Sequence, residues 1–164
     1  MPVVSNTSPL FNLAAIGKLA LLRQAFAEIL IPEAVLDELE PVREYPGVQA
    51  IHDAIAQGWI VVRVPQDVSK IRSLEQDLGR GEAAAIALAL ELKLRRILID
   101  EREGSRTAER SGLESVGILG VLLRAKREGH LESVKEMMIA LRDEVGFYIR
   151  RDLFAKVLQL AGED

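Results

Sequence analysis

Short apolar runs alternate along this chain with longer stretches in which apolar residues recur at helical spacing. Residues 2–5 are one such run and predict a buried strand. Over 9–26, Leu10, Leu13, Ile16, Leu19, Leu22 and Phe26 follow a helical period, with Gly17 as the place for a break. "EILIP" predicts a second strand, and Pro32 opens the next helix, where a missing N–H does no harm. That helix passes through Val35, Leu36 and Leu39 before Pro41, Pro46 and Gly47 end it. A short helix at 48–57, the strand "WIVVRV" at 59–64 and a weak helical pattern at 67–77 come next. "LGRGEAAAIALALELK" predicts a long Ala/Leu helix from Gly81 or Glu82. Strand "RILI" (96–99), helix 102–111, a brief strand at 114–116 and helices at 118–128, 132–144 and 152–161 complete the pattern.

Strands separated by helices of this length imply a mainly parallel sheet with helices on both faces, so the fold class is α/β. Composition agrees. Of the 164 residues, 49% are hydrophobic but only 4% aromatic, so the core must be made from Leu, Ile, Val and Ala. No repeat or long linker divides the chain, and one domain with a helical C-terminal extension is expected, over 1–145 and 146–164. There is no cysteine, hence no disulfide and no thiolate zinc site. With no secretory signal and no apolar run near the roughly 20 residues of a membrane span, a cytoplasmic location is expected. The net charge of −4, from 21 basic and 25 acidic side chains, argues against coating nucleic acid by charge alone but leaves room for a local basic strip.

The chemistry is concentrated where strands end. In parallel sheets ligands gather at the carboxyl ends of the strands. Asn6 and Asp100 each lie just past such an end, so the topology brings them to one edge although they are far apart in sequence. Glu38 lies in the helix entered from the second strand and Glu82 opens the Ala/Leu helix; both can lean over the same edge. Three carboxylates gathered there repel one another unless a cation or protons neutralise them. Hard oxygen ligands suit Mg²⁺ or Mn²⁺, which can activate water and stabilise charge on a phosphodiester.

The stretches "VVSNTSPL", "IPEAVLDELE", "GRGEAAAIALALE", "ILIDEREGSRTAE" and "VGILGVLLRAKREGHLESV", in that order, resemble the PIN-domain family, in particular its VapC-like subgroup of prokaryotic toxin-type ribonucleases. The resemblance covers about residues 2 to 145. It implies a PIN-like α/β/α sandwich, endoribonuclease activity dependent on a divalent metal, frequent homodimers and often a small antitoxin partner. Carried over position by position, it puts Asn6, Glu38, Glu82 and Asp100 in the catalytic and metal-binding places, with Glu101 or Glu103 accessory. Thr7 and Ser8 are supporting hydroxyls at the substrate side. The departure is Asn6, because the family typically has Asp there and Asn offers one neutral carbonyl oxygen. Two readings therefore stay open: a working metal nuclease, or a weakened or silent PIN-like module that binds nucleic acid or protein. A phospho-accepting receiver domain fits poorly, since Ser5 and Asn6 occupy the place of its acidic pair.

Each of these residues also has a local reading. Ser8 before Pro9 is an N-cap signal. Asp100 with Glu103 has the form of a capping box. Glu82 suits a first helical turn, and Glu38 a solvated helix face. Arg102, Arg106 and Arg110 recur every fourth residue after Asp100, as a track for RNA phosphates or as a solvated face paired with Glu103 and Glu109. His52 and His130 have no ligand spacing and receive no role. The stripes at 83–94 and 118–125 are core, one of them with the option of a dimer interface.

Overall fold

Val3 and Val4 project to opposite sides of one strand, and both are fully buried, which requires a packed layer on each face. The computed structural model describes residues 1–164 and shows those layers. Five strands, β1 (Val3–Ser5), β2 (Ile29–Pro32), β3 (Ile60–Arg63), β4 (Arg96–Leu98) and β5 (Glu114–Val116), pair in the order β3-β2-β1-β4-β5. All four pairings are parallel, and Val4 is in register with Leu30 on one side and Ile97 on the other.

Ten α-helices cover the sheet: α1 (Thr7–Ala15), α2 (Ala20–Phe26), α3 (Glu33–Leu39), α4 (Gln49–Gln57), α5 (Val68–Leu74), α6 (Arg80–Glu91), α7 (Arg102–Arg110), α8 (Ile118–Arg127), α9 (Val134–Val145) and α10 (Arg151–Ala161). One core joins Val3, Ile29, Ile31 and Leu98 to α1, α2, α4, α8 and α9. The other joins Val4, Leu30, Ile97 and Ile99 to α6 and the inner side of α7. Helix α6 is buried from Ala83 through Ala89, as an apolar surface on every side demands. The stripes of α6 and α8 are therefore covered within the chain itself.

The expected alternation of elements is present, with three local differences. The break expected at Gly17 is present and divides 9–26 into two helices, but α1 begins earlier than expected, at Thr7. They part at Gly17 (φ +73), whose amide reaches Ala14 while that of Lys18 reaches Leu13, the paired bonds of a Schellman stop. Pro32 closes β2 and caps α3 rather than lying inside the helix. The third difference concerns the end of the chain. Helix α10 packs on α8 and α9, and beyond it Glu163 accepts from Lys126 Nζ (2.9 Å), Ser133 Oγ (3.2 Å) and the amides of Val134 (2.8 Å) and Lys135 (3.1 Å). Thus the last residues cap the first turn of α9. Nothing in the local pattern of 162–164 announces it.

The order of strands creates the functional edge. Helix α1 leaves β1 toward one face and α7 leaves β4 toward the other, so the chain diverges between two neighbouring strands. Such a switch point leaves a crevice at the carboxyl ends.

Candidate acidic cleft at the carboxyl edge of the sheet

Asn6 joins β1 to α1 at that crevice. Its backbone amide donates to Leu98 O of β4 at 2.9 Å, extending the ladder by one bond, and α1 begins at the next residue. Its side chain makes no cap bond; Nδ2 donates to Glu101 Oε2 at 2.8 Å. Asn6 is only 2% exposed, so this bond is held in place by packing. The N-cap position expected for Ser8 thus belongs to Asn6. Ser8 lies inside the first turn, and Pro9 is the third helical residue, where the N–H has no helical partner in any case.

Glu38, near the end of α3, is held from two sides. Thr7 Oγ1 donates to its Oε2 at 2.5 Å, and the amide of Gly81 donates to Oε1 at 3.0 Å. Glu82 follows in the first turn of α6. Asn6, Thr7, Ser8, Glu38, Glu82 and Glu101, with Phe11 and Val42 as an apolar wall, line a cleft of about 310 Å³. Three carboxylates face it, and no lysine or arginine does. The ring of Phe11 leans on Tyr45 with centroids 4.9 Å apart. At the rim, Arg80 and Asp37 pair at 3.1 Å between α6 and α3, both well exposed, a contact worth about 0–1 kcal/mol.

Asp100 is not part of that lining. Its Oδ1 accepts from the amide of Ile118 at 2.9 Å, so it caps α8 rather than forming a capping box with Glu103. Helix α7 starts from Glu101 with no side-chain cap. Asp100 Oδ2 is buried without any partner, an orphaned acceptor beside an acidic cleft. Burial pushes this carboxyl up to about 6; the Ile118 amide opposes the rise and the charge of Glu101 adds to it. Glu82 is raised as well, by burial first and then by Glu101, with the Gly79 amide opposing and Glu38 adding.

Of the residues singled out in the sequence, the fold brings Asn6, Thr7, Ser8, Glu38 and Glu82 to one cleft and leaves Asp100 turned aside from it. Arg102 and Arg106 stand exposed on α7 outside the lining, and Arg106 meets Glu103 only at 3.9 Å. Arg110 donates to Thr107. Glu109 takes the hydroxyl of Ser115, so the arginine row is not closed off by ion pairs with both acids. Glu101 has a larger place than its sequence suggested. Its one visible signal was adjacency to Asp100, whereas its bond to Asn6 spans 95 positions.

No three carboxylates stand close enough to share an ion in this arrangement. Glu38 is turned toward Thr7 and Gly81, and Asp100 toward Ile118. The donor chemistry does fit a hard divalent cation: oxygen ligands only, uncompensated negative charge, two carboxyls pushed upward and one acceptor left bare. A parallel α/β domain with an oxygen-lined acidic crevice at its switch point offers the place and the ligand type for a hard divalent ion. The family match is more specific. The family model DUF3368, a PIN domain, matches residues 2–163, and the chain belongs to that family. PIN domains are nucleases in general and generally depend on divalent metal. The match also takes in α10 and Glu163. A comparison with curated proteins returns no match.

Proposed function

We propose that this protein is a VapC-like, toxin-type endoribonuclease that hydrolyses RNA phosphodiester bonds with Mg²⁺ or Mn²⁺. The observation that carries the reading is the gathering of Glu38, Glu82 and Glu101 with Asn6 in one cleft that contains no cationic side chain. Asp100, one residue from Glu101, adds a buried carboxyl oxygen with no hydrogen-bond partner. Glu38, Glu82 and Asp100 would hold the metal, with the Asn6 carbonyl as a neutral donor. When bound, the ion would supply a Lewis acid that neutralises phosphodiester charge and makes water a better nucleophile. The chain's own residues do the rest. Thr7 and Gly81 fix the rotamer of Glu38, and Asn6 fixes Glu101. The hydroxyls of Thr7 and Ser8 offer hydrogen bonds to substrate oxygens, and Phe11 offers a flat apolar wall against which a base can lie. Arg102 and Arg106 supply phosphate contacts outside the cleft. A homodimer and a small antitoxin that masks the acidic edge belong to the same proposal.

Incubation of the native chain with RNA and Mn²⁺ is the direct test. Cleavage abolished by chelator and by Asp100→Ala supports the reading, and cleavage equal in native and variant overturns it. One observation favours a second reading, a PIN-like module that binds without cutting. Asn6 presents an amide donor to Glu101 where a further anion would draw in metal. Under that reading Asn6→Asp creates metal binding and cleavage in a chain that otherwise has neither.

A further inference from the structure

Glycine in a helix is less favourable than alanine, so a glycine near the start of a helix invites a reason. Gly81 is the second residue of α6 and Gly104 the third of α7. Neither has a positive φ, so backbone conformation does not require them. Space does. A Cβ on Gly81 would lie 2.7 Å from both Cδ and Oε2 of Glu38 and closer still to Oε1. A Cβ on Gly104 would lie 2.6 Å from Glu82 Oε2 and 2.5 Å from Ile99 Cδ1. Gly117, which caps α8, repeats the arrangement, with the added atom 2.8 Å from Asp100 Oδ1. Three carboxyl groups from three segments therefore each rest on bare backbone. In contrast, a Cβ on Gly120, inside α8, meets nothing nearer than Val116 Cγ1 at 3.8 Å.

From this geometry we infer that Gly81, Gly104 and Gly117 are positioning residues of the cleft, seats that set where the carboxyl groups of Glu38, Glu82 and Asp100 lie. At Gly81 and Gly117 an added methyl group would strike the tip of an acidic side chain and no backbone; at Gly104 it would strike the Glu82 tip and also Ile99 in the core. Such a tip yields at small cost to the fold. It also moves away from its working place, and misplacement by about 1 Å is enough to lower a rate by about 100-fold. At Gly81 the displaced Oε1 also loses the amide that holds it at 3.0 Å.

The inference rests on the nuclease reading for its consequence, and the test separates the two. Gly81→Ala and Gly104→Ala are compared with native chain and with Gly120→Ala by thermal melting, side-chain carboxyl ¹³C NMR, Mn²⁺ calorimetry and RNA cleavage. Gly81→Ala should melt at or above the native midpoint, because alanine is the better helix former, whereas Gly104→Ala should melt lower, because Ile99 must repack around the new methyl group. The carboxyl signal of Glu38 should shift in Gly81→Ala and that of Glu82 in Gly104→Ala, with Mn²⁺ affinity down about 10-fold and cleavage down about 100-fold. Gly120→Ala should match native in all but a slightly higher midpoint. Carboxyl signals that stay in place, or a midpoint several degrees lower in Gly81→Ala, overturn the seats. If those signals shift while the native chain neither binds Mn²⁺ nor cuts RNA, the seats stand and the nuclease reading falls.

Discussion

Two carboxylates in this molecule are held in opposite ways. Glu163, at the end of the chain, is also partly desolvated, which by itself would raise its pKa. Lys126, the Val134 and Lys135 amides and Ser133 reverse that effect and bring it down to about 2. Asp100, at the carboxyl edge of the sheet, is buried with one amide and no cation, and it rises to about 6. Glu82 moves in the same direction as Asp100. A carboxylate saturated with donors stabilises the fold, whereas one with an empty oxygen is costly to the metal-free fold and free to take a ligand. Desolvation raises both, and far more of Asp100 is buried; the four donors around Glu163, against one for Asp100, reverse the direction.

The largest effect that tests this contrast is on catalysis. Glu82→Ala and Asp100→Ala should lower Mn²⁺-dependent RNA cleavage by about 100–1,000-fold, the scale on which removing an electrostatic stabiliser acts. Glu163→Ala should leave the cleavage rate per folded molecule unchanged. Equal losses from the two regions would erase the distinction.

Stability should move the other way. Asp100→Asn keeps the acceptor for Ile118 and removes the penalty of an ion at a raised pKa. It should add about 1–2 kcal/mol at pH 7, read from urea midpoints. Glu163→Gln loses charge-assisted capping of α9 and should cost about 1–2 kcal/mol, a fall in melting midpoint of about 2–8 °C.

The pH dependence follows with opposite signs. For Asp100 the folded-state pKa is above the unfolded one, so the protein loses stability as pH rises from about 4 to about 6 and loses no more beyond that. For Glu163 it is below, so its contribution is complete above about 4.3 and disappears as pH falls toward 2. Urea midpoints between pH 3 and 7 should lose their alkaline decline in Asp100→Asn and soften their acid decline in Glu163→Gln.

The smallest effect sharpens the boundary between the regions. Asn6→Asp removes the donor to Glu101 and adds a like charge, at a cost of about 1 kcal/mol without metal. With Mn²⁺ present, the melting midpoint should rise further in the variant than in the native chain. An identical Mn²⁺ response in both would mean that position 6 does not sense the ion.

Much of this arrangement was legible in the residues. The apolar run at Val3 and Val4, the period through Leu10 and Leu13 and the Ala/Leu stretch after Gly81 each specify an element locally, because side-chain spacing is what an element buries. Alternation of those elements implied a parallel sheet, and a parallel sheet implied that Asn6 and Asp100 share an edge. Less legible were the partners. Ser8 before Pro9 carries a strong capping signal, yet the ladder bond from Asn6 to Leu98 let α1 start sooner. Asp100 and Glu103 have capping-box spacing, yet the amide Asp100 accepts lies 18 residues further on.

The sequence by itself determined the elements, their order and the handful of acidic and polar residues at strand ends, since propensity and periodicity act over a few neighbours. Only the tertiary structure decided which donor each acid meets: Thr7 and Gly81 for Glu38, Asn6 for Glu101, Ile118 for Asp100, and four groups for Glu163. A hydrogen bond is set by contact at about 3 Å, and contacts between distant segments exist only after the layers have packed.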